Sequence, residues 1–314
     1  MYLVCGEALF DFFSENAASS QASTVNYKAI AGGSPFNVAV GLRRLGVDSA
    51  LFAGLSTDYL GRRLQQVLAD EGVRADYLLD FDAPTTLAMV AVGANGSPHY
   101  SFRGEGCADR QLTLAHLPEL SDEVRGLHIG SFSLVVQPIA DTLLALVRRE
   151  SGKRLISLDP NVRLNPEPDI ELWRSRIAEL MKYADLIKVS DEDLSLLYPG
   201  REPQSVIDSW LEHRCQLVFL TRGGQGATVF SRRHGSWSAP ASKVVIADTV
   251  GAGDTFQAAL ITWLTEQQLD SVDGLQRLSR EQIDAMLRFA ISAAALTCSK
   301  TGPDLPYRHQ LEMR

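Results

Sequence analysis

Residues 155–190 carry the pattern that decides the fold: Leu155-Ile156-Ser157-Leu158-Asp159, then an apolar-periodic stretch from Leu172 to Tyr183, then Leu186-Ile187-Lys188-Val189-Ser190. The two short apolar runs read as buried strands, and the stretch between them as the helix that returns the chain over the sheet. The alternation extends outward in both directions. On the N-terminal side it predicts strands over Tyr2–Cys5, Val25–Ile30, Ser49–Ala53 and Leu127–Gly130. It also predicts helices over Asn37–Leu45, Gly61–Glu71 and Pro138–Arg149, with Gly46 and Gly72 as stop signals. On the C-terminal side a strand is expected over Leu217–Thr221 and a helix over Thr255–Glu266. Repeated strand–helix units imply an α/β domain in which helices cover both faces of a mainly parallel sheet.

No long linker or repeat divides the 314 residues, so residues 1–314 are expected to form one domain. Two β-rich portions, about residues 12–30 and 82–105, interrupt the pattern. In the second, Thr85–Val92 and His99–Arg103 flank Asn95-Gly96 like a hairpin. Together the two portions are expected to make a small sheet over the site, a lid, whose open edge could support a homodimer.

Composition narrows the function classes. Hydrophobic residues make up 45% and charged residues 22%, as in a globular enzyme, and the formal charge of −8 offers no basic footprint for nucleic acid or an anionic membrane. Cys5, Cys107, Cys215 and Cys298 form no C-x-x-C pair, and the histidines lack metal-ligand spacing. No basic leader or run of about 18 apolar residues occurs, which makes the cytoplasm the expected location. Ser131 and Ser133 lack the G-x-S-x-G setting of a hydrolase.

In a parallel α/β sheet, chemistry gathers at the carboxyl ends of the strands. Asp11, Asp159–Arg163, Ser190–Asp193 and Thr221–Gly224 each follow an expected strand. The strongest candidate is Asp248-Thr249-Val250-Gly251-Ala252-Gly253-Asp254, a glycine-rich loop leading into a helix. Small residues let backbone N–H groups converge on an anion where the helix dipole is positive, an arrangement suited to phosphoryl transfer. Asp254 can accept the proton of an attacking hydroxyl there, although Gly-Ala-Gly-Asp by itself is more often only the start of a capped helix. Gly32-Gly33-Ser34-Pro35-Phe36-Asn37 likewise opens a helix, with backbone free to approach a polyhydroxylated ligand and Asn37 able to donate and accept. Thr221-Arg222-Gly223-Gly224-Gln225-Gly226 reads either as a phosphate-facing turn or as an ordinary hairpin turn. There is no Walker-type G-x-x-x-x-G-K-[ST], and Phe256 stands where a dinucleotide fingerprint needs its third glycine.

Taken in order, these elements resemble the ribokinase-like PfkB sugar kinases, and among them the bacterial fructokinases. The anchors are Gly32–Ala39 and Asp248–Asp254, supported by Gly6-Glu7-Ala8-Leu9-Phe10-Asp11-Phe12, Asp159-Pro160-Asn161-Val162-Arg163 and Leu172-Trp173. The resemblance spans nearly the whole chain. It implies a three-layer α/β/α domain that transfers the γ-phosphoryl of ATP to a sugar hydroxyl, with fructose O6 the preferred acceptor. Asp254 is then the base, and the backbone of Gly251, Ala252 and Gly253 the anion hole. The same resemblance puts Asp11, Gly32, Gly33, Asn37 and Arg163 at the sugar, with Phe102 and Arg103 approaching from the lid. Lys188, Ser190, Asp193, Thr221, Gly223, Gly226, Ala294 and Cys298 fall on the nucleotide side. It also implies Mg2+ on the nucleotide phosphates and K+ near Asp248, Val250 and Gly302. The family's frequent Asn-x-x-Glu element stands here as Ser190-Asp191-Glu192-Asp193, where Glu192 could substitute for the shorter Asp193. A 2-keto-3-deoxygluconate kinase, with Arg103 and Arg163 holding a carboxylate, is the alternative enzyme. A sugar or nucleotide sensor without catalysis is the alternative of another class.

Overall fold

The computed structural model describes residues 1–14, 23–92 and 98–312. Its strands in chain order are β1 (Tyr2–Cys5), β2 (Leu9–Ser14), β3 (Tyr27–Gly32), β4 (Ser49–Ser56), β5 (Leu78–Phe81), β6 (Leu87–Val92), β7 (Pro98–Arg103), β8 (Gly126–Gly130), β9 (Leu155–Asp159), β10 (Leu186–Ser190), β11 (Leu217–Thr221), β12 (Ala227–Ser231) and β13 (Gly235–Ala239). The helices are α1 (Ser34–Arg44), α2 (Tyr59–Asp70), α3 (Ile139–Glu150), α4 (Ile170–Leu180), α5 (Asp191–Leu197), α6 (Pro203–Leu211), α7 (Ala252–Glu266), α8 (Val272–Arg277), α9 (Arg280–Cys298) and α10 (Arg308–Glu312).

Nine of the described strands form the central sheet in the order β13-β12-β11-β10-β9-β8-β1-β4-β5. Its pairs are parallel from β11 through to β5, and the antiparallel β12 and β13 extend one edge. Side chains alternate across a strand, so a sheet covered on both faces needs apolar residues at every position. In β1, Tyr2 and Val4 enter a core with α1, α7 and α9, while Leu3 and Cys5 enter a second core with α3, α4 and α6. This is the three-layer α/β/α arrangement.

Four buried positions of β8, β9 and β10 break the apolar rule on the α7 face: His128 in β8, Ser157 and Asp159 in β9, and Lys188 in β10. Ser157 Oγ meets His128 Nδ1 at 3.2 Å and accepts from Gln257 Nε2 at 2.7 Å, tying α7 to the sheet. Burial pushes the His128 imidazole down to about 3, with the Lys188 charge adding to it, so this histidine is a neutral structural group.

A separate four-stranded sheet, in the order β3-β2-β6-β7, forms the lid. Its β2–β6 pair is parallel and its outer pairs antiparallel. Asp58 anchors the root of this sheet. Its side chain caps α2 by accepting from Gly61 N at 2.7 Å, and it also takes the Thr85 N–H at 2.9 Å, two residues before β6.

The lid boundaries differ from the sequence expectation. Its first strand begins at Leu9 rather than near residue 12, because the chain leaves the central sheet through Gly6 and re-pairs at once. Asp11 therefore sits within a lid strand, paired with Ile30 and Ala88, and not at the carboxyl end of a central strand. Leu78–Phe81 joins the central sheet beside β4, a strand the sequence reading passed over. The expected Asn95-Gly96 turn lies outside the described residues.

Candidate active site

Two helices begin at the same place. Gly33, the residue before α1, has φ 102, and a Cβ there would stand 3.0 Å from the Glu7 carbonyl oxygen, so both backbone and space call for glycine. Gly251, the residue before α7, lies in the left-handed region at φ 78. The two turns bring Ser34, the first residue of α1, and Asn37, one turn further on, against Asp254, the third residue of α7. Ser34 Oγ donates to Asp254 Oδ1 at 2.6 Å and Asn37 Nδ2 to Oδ2 at 2.8 Å. Asp254 is 8% exposed, so its carboxylate is held in one orientation with little access for bulk water.

The first-turn N–H groups of a helix have no carbonyl within the helix to bind. The N–H of Ala252 turns back to Thr249 O at 3.2 Å, while those of Gly253 and Asp254 belong to the unpaired set at the positive end of α7. Beneath this turn lies Lys188, 4% exposed, whose Nζ is 2.9 Å from Asp159 Oδ2. Burial opposes the ammonium charge, but Asp159, Asp193 and Asp254 together raise its pKa above the ordinary lysine value. A buried cation thus lies against the positive end of α7.

A Cβ at Gly253 would stand 2.8 Å from that Nζ. Gly253→Ala is expected to displace either the turn or the ammonium, lowering kcat for phosphoryl transfer by roughly ten- to a thousandfold with a smaller change in sugar KM. An unchanged kcat would show that the turn does not face the reacting group.

Asp11 reaches the same centre from the lid. Burial pushes its carboxyl up to about 6, the Arg163 charge opposing and the Asp254 charge adding. Its Oδ2 would be 2.6 Å from a Cβ at Gly32, so that glycine leaves room for a candidate ligand carboxylate. Arg163 is exposed after β9, its Nη1 donating to the Val162 carbonyl at 2.9 Å. Phe102 shares a lid row with Ala88 and Asp11 and packs edge-on against Phe132, whereas Arg103 is exposed at the end of β7.

The nucleotide-side candidates fall in three places. Ser190 and Thr221 end the neighbouring strands β10 and β11. Ser190 and Asp193 form a reciprocal cap on α5, and Asp193 Oδ1 also takes the Val162 N–H at 2.8 Å, while Glu192 is exposed. Gly223 and Gly226 belong to the turn joining antiparallel β11 and β12, so the hairpin reading of that segment describes its backbone. Ala294 and Cys298 lie in the last turns of α9, and the Cys298 carbonyl receives the Ala247 and Asp248 N–H groups, joining that helix to the glycine-rich loop.

Asp248 Oδ1 accepts from Thr249 N and Val250 N, and Oδ2 from Gly302 N at 2.9 Å. Burial pushes this carboxyl up, but the three donors outweigh it and hold its pKa below the usual range. An ionised oxygen beside the exposed Val250 and the Gly302 turn is a donor set suited to a monovalent cation. Among the described residues no three His, Cys, Asp or Glu side chains cluster as a divalent-metal cage.

Sequence reading undervalued three groups. Ser34 stood inside a recognised motif yet is one of the two side chains orienting Asp254. Asp159 stood only as the first residue of the strand-end stretch Asp159–Arg163, yet it is buried against Lys188. Glu7, 1% exposed, accepts a hydrogen bond from Ser133 Oγ where the lid leaves the body, and burial pushes its carboxyl up to about 7. Only the acidic residue straight after a buried strand signalled it.

The comparisons agree with this architecture. The model of the pfkB family carbohydrate kinases matches residues 2–310. A fructokinase of Rhizobium leguminosarum bv. trifolii is 36% identical over 279 residues, covering 87% of this chain and 84% of that protein. The crystal structure of a Xylella fastidiosa fructokinase with bound ATP superposes with a TM-score of 0.88 at 27% identity, covering 99% and 97% of the two chains. A double-mutant fructokinase of Vibrio cholerae O395, in a fructose-, ADP- and potassium-bound form, superposes with a TM-score of 0.83 at 25% identity, covering 99% and 97%. By its matched family model, its relatives and its fold, this chain belongs to the pfkB family of carbohydrate kinases.

Proposed function

We propose that the protein is an ATP-dependent fructokinase that phosphorylates D-fructose at O6. The observation that carries the reading is the fixed Asp254 carboxylate at the meeting point of two helix N-termini, beside unpaired N–H groups and above a buried lysine. Asp254 removes the hydroxyl proton as the sugar oxygen forms its bond to the γ-phosphorus. The bond from that phosphorus to the β–γ bridging oxygen breaks, leaving ADP. The N–H groups of Gly253 and Asp254 meet the charge on the transferring group. Asp11 receives sugar hydroxyls, with Arg163 and the lid residues Phe102 and Arg103 beside it. Thr221, Gly223, Gly226, Ala294 and Cys298 border the nucleotide. Mg2+ bound to the phosphates would neutralise their charge, and Ser190 and Asp193 would reach it through water. K+ would take Asp248 with carbonyls near Val250 and Gly302. Four free thiols suit a reducing compartment such as the cytoplasm.

ADP release with Mg2+ and K+, compared for fructose, ribose, glucose, 2-keto-3-deoxygluconate and no sugar, tests the reading. The expected result is the highest kcat/KM with fructose and fructose 6-phosphate as product. Preference for 2-keto-3-deoxygluconate would retain the kinase chemistry and overturn the acceptor. Sugar binding without turnover would favour a sensor.

The pH profile supplies a second check. A protonated Asp11 is a weaker acceptor for hydroxyl donors, so kcat/KM for the sugar is expected to fall as pH drops through about 6. Asp11→Asn should lower kcat/KM throughout and remove this acid limb. An unchanged limb in that variant would assign it to another group.

A further inference from the structure

Arg110 follows the lid and is held by aromatic faces. Its guanidinium carbon lies 5.6 Å from the ring centre of Phe102 in lid strand β7 and 5.7 Å from that of Phe132, which follows β8 of the central sheet. The two rings meet edge-to-face at 5.3 Å. The Arg110 Nε is buried without a partner among the described residues, and the neighbouring Asp109 carboxylate is engaged by Thr86 Oγ1 at 2.5 Å. Thr86 is the residue before β6, and its carbonyl receives the N–H of Phe10 in β2 at 3.2 Å. The turn that carries Arg110 is therefore fixed to the lid root, while its side chain spans lid and body. Space for it depends on Gly104: a Cβ there would stand 2.6 Å from Arg110 Nη2 and strike the Phe102 ring.

We propose that Arg110 is a positioning residue whose guanidinium latches lid strand β7 to the segment after β8, and so sets where Phe102 stands against the sugar acceptor. The latch rests on the sugar-kinase reading only for its effect on the acceptor. Phe102 lies in the lid row of Asp11, so loosening β7 moves one wall of the sugar site and leaves the nucleotide side in place. A half-buried cation–π contact to two rings contributes enough that its loss should raise sugar KM roughly three- to thirtyfold.

The test measures two quantities in the full-length protein: sugar and ATP KM, and hydrogen exchange of the β6 and β7 amides without ligand. Arg110→Met is expected to raise sugar KM with ATP KM and kcat little changed, and to speed lid exchange. Arg110→Lys should restore part of both, while Gly104→Ala and Phe132→Leu should reproduce the loss. Should Arg110→Met fail to fold, the lysine and Phe132→Leu variants read the same two quantities. Unchanged sugar KM and lid exchange would overturn the latch. So would an equal rise of both KM values with a lowered Tm, the mark of a general packing role. If the wild-type protein phosphorylates no sugar, the functional reading falls, and lid exchange alone still decides the latch.

Discussion

Asp254→Asn is expected to lower kcat by roughly two to four orders of magnitude while sugar KM changes only a few-fold. The carboxylate oxygens meet Ser34 Oγ at 2.6 Å and Asn37 Nδ2 at 2.8 Å, so an asparagine of nearly the same shape occupies the same space. Either the Ser34 hydroxyl turns from donor to acceptor or the Asn37 amide presents its oxygen, and one such reversal lets both hydrogen bonds re-form around the new amide. Proton acceptance, however, cannot be recovered, because a neutral amide is a negligible base. Stability should stay near that of the parent, and the loss should appear in single-turnover chemistry rather than in sugar binding. Ser34→Ala should cost far less, since Asn37 still orients one oxygen. Near-normal single-turnover rates in Asp254→Asn would remove it as the base.

The fold was legible where residue pattern alone forces structure. The apolar runs Tyr2–Cys5, Leu155–Asp159, Leu186–Ser190 and Leu217–Thr221 became strands with those bounds, because a strand buried on both faces accepts little but apolar residues. Leu9–Ser14 was missed because its neighbours Gly6 and Glu7 read as the end of one strand, whereas the chain changes sheets between them. Leu78–Phe81 escaped as a four-residue edge strand, too short to give a period. At the site, the motifs named candidate residues but not how they meet. Lys188 read as a nucleotide-side cation, whereas its burial against Asp159 depends on which face of β10 meets α7, a property of the three-dimensional register. Asp193 shows the same limit: a carboxylate that the local sequence places in a helix-starting turn also binds the Val162 N–H, a contact made across 31 residues.

Lys188→Met should destabilise the protein by about 3–5 kcal/mol and lower Tm by about 10 °C, as well as depress kcat. The pair it breaks is almost wholly enclosed: side-chain exposure is 5% for Lys188 and 1% for Asp159, at 2.9 Å. Burial pushes the Asp159 carboxyl up to about 6 against the pull of Lys188, so both partners carry charge at neutral pH. Methionine fills the lysine's volume but leaves Asp159 uncompensated, with its Oδ1 already lacking a partner among the described residues. Asp193 and Asp254 lose the same cation, and the N-terminal turn of α7 loses the positive charge beside it. If charge rather than packing dominates, adding Asp159→Asn should recover part of the stability by removing the stranded carboxylate, without recovering kcat, because the ammonium beneath Gly253 is still absent. Thermal melts and single-turnover rates on the four members of this double-mutant cycle separate the two effects. A double variant no more stable than Lys188→Met would mean that lost packing, not the buried charge, limits the fold; a double variant with restored kcat would detach Lys188 from phosphoryl transfer and leave the α7 backbone as the sole anion-binding group of this turn.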